Sequence, residues 1–162
     1  VSANKYTHHL IVIPEDQAVR DIVNGFSTCL DANERQFSVY DLARGWGRGK
    51  KTLLELSKGY MREYPNSYAV LIVDFDGNAH RGSEIKNQVL EDVRDRVFVV
   101  GVLNEPENLR NSTGMKFEQL GRQIAGGCKD SSIDFWERQE LLAHNVDEIR
   151  RLSEAVRDLF FR

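Results

Sequence analysis

Asp74 and Asp76 stand two residues apart in the segment VDFDG, directly after an apolar run. In extended backbone, residues i and i+2 point to the same side, so the two carboxylates would project together. Such a pair repels itself until a proton or a cation is shared. Mg²⁺ typically takes one or two carboxylates and fills its shell with water and phosphate oxygens. Glu15 follows the apolar run LIVIP, and Glu105 follows VFVVGVLN, with Glu107 two further on. Glu105 is therefore the expected third metal ligand beside Asp74 and Asp76. Glu15, at the mouth of a helical pattern, is the expected general acid or base. Each has a plainer reading. Asp76-Gly77 suits a turn, and Glu15-Asp16 suits the favourable charge at a helix N-terminus.

The stretch Arg44–Lys51 (RGWGRGKK) carries three glycines at alternate positions and four basic residues. Glycine-rich turns let backbone N–H groups approach phosphate, and a following helix N-terminus favours anions. Arg48, Lys50 and Lys51 are the expected phosphate-binding cations, joined by Arg81 just after the aspartate pair. This is not a P-loop, because GxxxxGK[ST] would need glycine where Arg44 stands. Trp46 would either stack on a base or fill an apolar gap, and the whole stretch also reads as a solvated loop. His8 and His9 sit at a strand start, the wrong edge for a site of this kind. His80 lies near the acidic pair and His144 just before the last helix. No Ser-His-Asp or Cys-His arrangement is indicated.

The elements that must hold these groups follow from hydrophobic patterning. Four apolar runs read as strands covered on both faces: His9–Ile13, Phe37–Leu42, Tyr68–Val73 and Val97–Leu103. Between them lie helical stripes: Val19, Ile22, Val23, Phe26 and Leu30, then Leu53, Leu56, Tyr60, Met61 and Tyr64, then Ile85, Val89, Leu90 and Val93. Alternation of strand and helix with right-handed crossovers predicts a three-layer α/β/α, Rossmann-like fold around a mostly parallel sheet of about four to five strands. In such sheets ligands bind beyond the carboxyl ends of the strands, where the acidic groups and the basic stretch all fall. The region 108–132 is glycine-rich, with a short helix expected near Phe117–Ile124 and a loop over Gly126-Gly127. A last helix is expected from Val146 to Phe161, started by a capping box of Asn145 and Glu148. Its apolar stripe, Trp136 and the terminal phenylalanines read as core, or as an interface for a second copy or a partner protein.

The 162 residues predict one domain, with an α/β core over 8–110 and a helical part over 115–162. Apolar residues at 41 % and charged residues at 29 % exclude disorder. Apolar runs such as Ala69–Val73 fall far short of the roughly 20 residues that cross a bilayer. The polar segment Val1–His9 has no apolar stretch of signal-peptide type, so a cytoplasmic protein is expected. Cys29 and Cys128 have no metal-ligand spacing and read as free thiols. The net charge of −3 excludes a generally polycationic nucleic-acid binder but leaves room for a local basic patch.

The layout LIVIPEDQAVRDIV, VYDLARGWGRGKKTLLEL, YAVLIVDFDG, DRVFVVGVLNEPENL resembles a Toprim-like domain, specifically the small stand-alone Toprim-related bacterial proteins. The resemblance covers about residues 8–110. In that family a glutamate follows the first strand and an Asp-x-Asp pair the third. A GxGK-like loop precedes the second helix, and a glutamate-bearing segment follows the fourth strand. The resemblance implies Mg²⁺- or Mn²⁺-dependent chemistry on a phosphodiester of nucleic acid, with Glu15 as acid/base and Asp74 and Asp76 as metal ligands. A non-catalytic Toprim-like binding module is the alternative. This chain departs from the pattern at Asp16, where the family carries glycine, and at Val19, where it carries an acid. Two rivals share the architecture. VDFDGN resembles the first motif of haloacid-dehalogenase-like phosphatases, with Asp74 as nucleophile, but lies on the third strand and has Asn78 for the usual Thr or Val. LIVIPEDQAVRDIV resembles a response-regulator receiver, with no lysine after the fourth apolar run.

Overall fold

The computed structural model describes residues 4–28, 34–130 and 134–160. The strands are β1 (His9–Pro14), β2 (Phe37–Val39), β3 (Ser67–Ile72) and β4 (Val97–Val100). The helices are α1 (Gln17–Ser27), α2 (Trp46–Lys58), α3 (Tyr60–Glu63), α4 (Arg81–Lys86), α5 (Pro106–Thr113), α6 (Phe117–Lys129), α7 (Asp134–Arg138) and α8 (Val146–Phe160). The sheet order is β2-β1-β3-β4, and every neighbouring pair is parallel. The fold is the expected α/β sandwich of helix, sheet and helix layers, with four strands among the described residues.

Alternation along each strand divides the core. Leu10, Val12, Val70, Phe98 and Val100 face α1, α5, α6, α7 and α8. Ile11, Ile13, Ala69, Leu71, Val97 and Val99 face α2, α3 and α4. Strands buried on both faces read as continuous apolar runs for this reason. The stripe of α8 is spent inside the chain, with Ile149 and Val156 buried against the sheet. Lys86 of α4 reaches Glu148 of α8 at 3.0 Å, and Arg151 both pairs with Glu148 and stacks over the Phe98 ring. That chain of contacts links the two helix layers across the open side of β4.

Several elements differ from the sequence expectation. The stretch 44–51 is not a loop. Helix α2 begins at Trp46, so Gly47 and Gly49 lie in its first turns, and only Arg44 (φ 61°) and Gly45 (φ 136°) form the turn before it. The expected loop at Gly126-Gly127 is likewise helical, because α6 runs on to Lys129. This helix presses on α1 where both lack side chains. A Cβ on Gly25 would lie 2.0 Å from the Glu118 carbonyl oxygen, and one on Gly121 would lie 1.9 Å from that of Ile22. The glycine-rich region 108–132 opens inside a further helix, α5, which Pro106 starts at its first position. The helix expected over Ile85–Val93 ends at Lys86 and continues as turns that bury Val89 and Val93 and leave Leu90 exposed. Cys29, Leu30 and Phe161 lie outside the described residues.

The capping box of Asn145 and Glu148 is replaced by a contact with more at stake. After β4 the chain passes Gly101 at φ 157°, where a Cβ would stand 1.7 Å from the Val73 carbonyl oxygen. Asn145 is buried there, accepting from the Gly101 N–H at 3.0 Å and donating to its carbonyl at 2.7 Å. It satisfies two buried backbone groups that the strand ladder leaves open. Beyond Gly101 the pairing resumes, with Phe75 N–H on Val102 and Gly77 N–H on Leu103. This pairing fixes the path of the Asp74–Gly77 segment.

Candidate functional site: a strained carboxylate edge

Parallel sheets change direction of winding between the two strands that leave the middle in opposite senses, and a crevice opens there at the carboxyl end. In this order that place lies between β1 and β3. Glu15 leaves β1 at that point and Asp74 leaves β3, and the structure brings them into direct contact. Glu15 Oε2 accepts from the Asp74 backbone N–H at 2.6 Å, while the Glu15 N–H donates to the Ile72 carbonyl at 3.0 Å. The position of Glu15 is thus set by strand pairing and not by loop conformation. Asp16 takes the helix-capping part of the pair, accepting from the Val19 N–H at 2.9 Å.

Asp74 is half-buried, and its Oδ1 is buried with no hydrogen-bond partner. Its carboxyl is pushed up to about 7, first by burial and then by the charges of Glu15, Asp16, Asp76 and Glu107. Glu15 is raised as well, chiefly by burial. The Asp74 N–H bond opposes that rise, Asp16 and Asp76 add to it, and Arg81 opposes it. Two neighbouring carboxyl groups displaced in the same direction at a crevice are a functional-site signature. An orphaned buried oxygen calls for a proton or a cation to meet it.

Asp76 is brought to the same edge but turned elsewhere. It adopts a left-handed backbone (φ 48°), is 66 % exposed, and bonds Arg81 Nη1 at 2.8 Å. The same Nη1 donates to the Asp74 carbonyl at 3.2 Å. The Arg81 guanidinium lies 4.2 Å from the centre of the Trp46 ring, in cation–π contact. Trp46 therefore presents a face to Arg81, the first turn of α2 abutting the aspartate segment. Glu105 caps the start of α5 without a side-chain bond and is exposed. The acid from this segment whose charge reaches Asp74 is Glu107. Among the described residues, no three His, Cys, Asp or Glu side chains converge closely enough to hold a metal ion between them. Of the predicted set, Glu15, Asp74, Asp76 and Arg81 are linked by hydrogen bonds or charge.

The basic side chains Arg48 and Lys51 are exposed on α2, and Lys50 is partly covered. Arg44 just precedes them, its N–H donating to the Glu15 carbonyl at 2.8 Å. His144, expected just before the last helix, lies partly covered behind the aspartate segment. Its ring stands edge-on to Phe75, 4.6 Å between centres, and burial lowers its basicity, although the nearby Gly101 carbonyl pulls slightly the other way. Neither ring nitrogen makes a hydrogen bond of normal geometry. An apolar cavity of about 120 Å³ lies between the sheet and α1, lined by Leu10, Val23 and Ile149 among others, and holds none of these groups.

A scan of the chain against protein-family models finds no match, and no curated protein is significantly similar to it. No described helix is long and apolar enough to cross a membrane.

Proposed function

We propose that the chain carries out Mg²⁺- or Mn²⁺-dependent cleavage or transfer at a phosphodiester of nucleic acid, as the resemblance to Toprim-like domains implies. The observation that carries this reading is the Asp74 carboxyl, raised to about 7 with one buried oxygen unmet, beside Glu15. A divalent cation relieves that strain, and one or two carboxylates with water and phosphate oxygens are the usual complement for Mg²⁺. Asp74 would hold the ion through Oδ1, and Asp76 would join once Arg81 turned to a phosphate. When bound, such an ion stabilises charge on the attacking and leaving oxygens. Glu15, its basicity raised by burial, would take up or deliver the proton. Arg81, already fixed by Trp46, would meet the phosphate; Arg48, Lys50 and Lys51 would position the backbone without reading sequence. In this reading Glu105 is not a ligand in the resting arrangement. The purified protein should cut or nick DNA or RNA with Mn²⁺ or Mg²⁺. Asp74→Asn should abolish that activity, and Glu15→Gln should lower it by about 10²–10⁴-fold. Full activity in Asp74→Asn would sink the proposal.

A second reading is a binding module that keeps the fold without the chemistry. The salt bridge of Asp76 to Arg81 favours it, because it withdraws one acid from the cluster. Absence of any cation-dependent stabilisation would decide for it.

A further inference from the structure

An open groove of about 820 Å³ runs between the chain leaving β2 and the first turns of α2. Tyr40, Arg44, Arg48 and Lys51 line it together with the acids Asp41 and Glu55, so cations outnumber acids three to two. Arg44 and Arg48 enter no ion pair among the described residues, and the pair of Lys51 with Glu55 is long, at 4.0 Å, and well exposed. Such a pair holds its lysine weakly. Tyr40 is 36 % exposed at the groove wall, a large aromatic surface left to solvent. The groove ends at the carboxylate edge, because Ala43 N–H bonds the Pro14 carbonyl and Arg44 N–H bonds that of Glu15. Arg44 holds a left-handed backbone at φ 61°, an uncommon state for a residue with a side chain. Strain of this kind persists where the surroundings enforce it, and it gathers at ligand sites.

A row of cations with an aromatic beside it fits one chemistry well. The cations meet a chain of phosphates, and the aromatic ring takes a base face, which is free only when the base is not in a duplex. We propose that this groove binds single-stranded nucleic acid, phosphates on Arg44, Arg48 and Lys51 and one base against Tyr40. The strand then runs toward Glu15 and Asp74. Only that last step rests on the phosphodiester reading; binding in the groove stands without it. Lys50 belongs to the same basic stretch but does not line the groove.

The test is fluorescence anisotropy in EDTA, with labelled oligo-dT, oligo-rU and a duplex, each about a dozen nucleotides or base pairs long. Single strands should bind at least about tenfold more tightly than the duplex, with a log–log salt slope of roughly −2 for three phosphate contacts. Tyr40→Ala should cost about 5- to 100-fold with that slope unchanged. Arg48→Glu should weaken binding about tenfold or more and flatten the slope by about one. Arg122→Ala, at an exposed cation on α6 in the opposite helix layer, should stay within about threefold of wild type, since exposed charges on separate faces are screened from each other. Circular dichroism and melting curves confirm that each variant folds. Duplex binding as tight as single-strand binding would overturn the proposal. So would unchanged binding in Tyr40→Ala and Arg48→Glu, or an equal loss in Arg122→Ala. Strand binding in EDTA without Mn²⁺-dependent cleavage would remove the chemistry and keep the groove. Cleavage indifferent to Tyr40 and Arg48 would keep the chemistry and remove the groove.

Discussion

The two ends of the middle strands, β1 and β3, treat their buried polar groups in opposite ways. At their amino ends His9 and Ser67 are matched, although Gln36 Oε1 before β2 and Arg94 Nε before β4 are not. His9, fully buried, places Nδ1 on the Thr7 carbonyl at 2.7 Å and Nε2 on the Tyr60 hydroxyl at 2.9 Å. Arg96 donates to the carbonyls of Ser67 at 2.7 Å and Met61 at 3.0 Å, and the Ser67 hydroxyl donates to Tyr64. At the carboxyl end Asp74 keeps an unmet oxygen, and its carboxyl and that of Glu15 both titrate high. A buried polar group that is fully bonded stabilises its fold. One left strained lowers stability and is retained where function uses it. This contrast along β1 and β3 is what the proposed site at the carboxyl end rests on.

Substitutions at the two ends should therefore change stability with opposite sign. Arg96→Ala leaves two carbonyls without their charged donor. It should cost about 3 kcal/mol, a fall of roughly 6–12 °C in Tm, with cation response intact. Thermal denaturation with and without Mg²⁺ measures both. Saturating the wild type with Mg²⁺ or Mn²⁺ should raise stability by about 2.7 kcal/mol at one hundred times Kd, and Asp74→Asn should lose that gain. Calorimetric scans over a cation series would show it, and identical gains in the two proteins would erase the contrast.

In the absence of cation, Asp74→Asn should itself stabilise the fold. The sign follows from the titration. The carboxyl has its ordinary value near 4 when unfolded and about 7 when folded. Folding therefore takes up a proton between those values, and the penalty grows as pH rises through that window. Discounted for solvent screening, the variant should gain about 1–2 kcal/mol at pH 8 and nothing below pH 4. Urea melts across that range would reveal the widening gap. His144 gives the smallest effect. Its folded basicity lies below the ordinary imidazole value, so its contribution falls away as pH drops through about 6.5. His144→Phe should flatten that limb by less than about 1 kcal/mol, which the same melts would record.

Much of this architecture was legible because burial on both faces writes itself as apolar runs. β1, β3 and β4 stand close to where those runs put them, and α1 and α8 follow their stripes. Glycine misled the reading. Gly47, Gly49 and Gly126 look like breakers, yet they lie inside helices whose neighbours set the conformation. At Gly49 the missing side chain makes room for a Leu71 methyl, 2.9 Å from where a Cβ would be. Glu15 and Asp74 were legible because position along a strand fixes direction, whereas the left-handed backbone of Asp76 breaks the shared direction expected of the pair. The engagement of Asp76 by Arg81, the Trp46 face behind it and the Asn145 bond to Gly101 were not. They depend on contacts across 5 to 44 positions of sequence, which no local period encodes.

If burial and neighbouring charge strain Asp74, a cation should relieve it. Carbon-13 NMR of the aspartate carboxyl carbons, assigned by comparison with Asp74→Asn, follows that one group through pH. The midpoint should lie near 7 in EDTA and fall by at least about two pH units with Mg²⁺, a diamagnetic ion, present. A midpoint at the ordinary aspartate value of about 4, indifferent to cation, would contradict it.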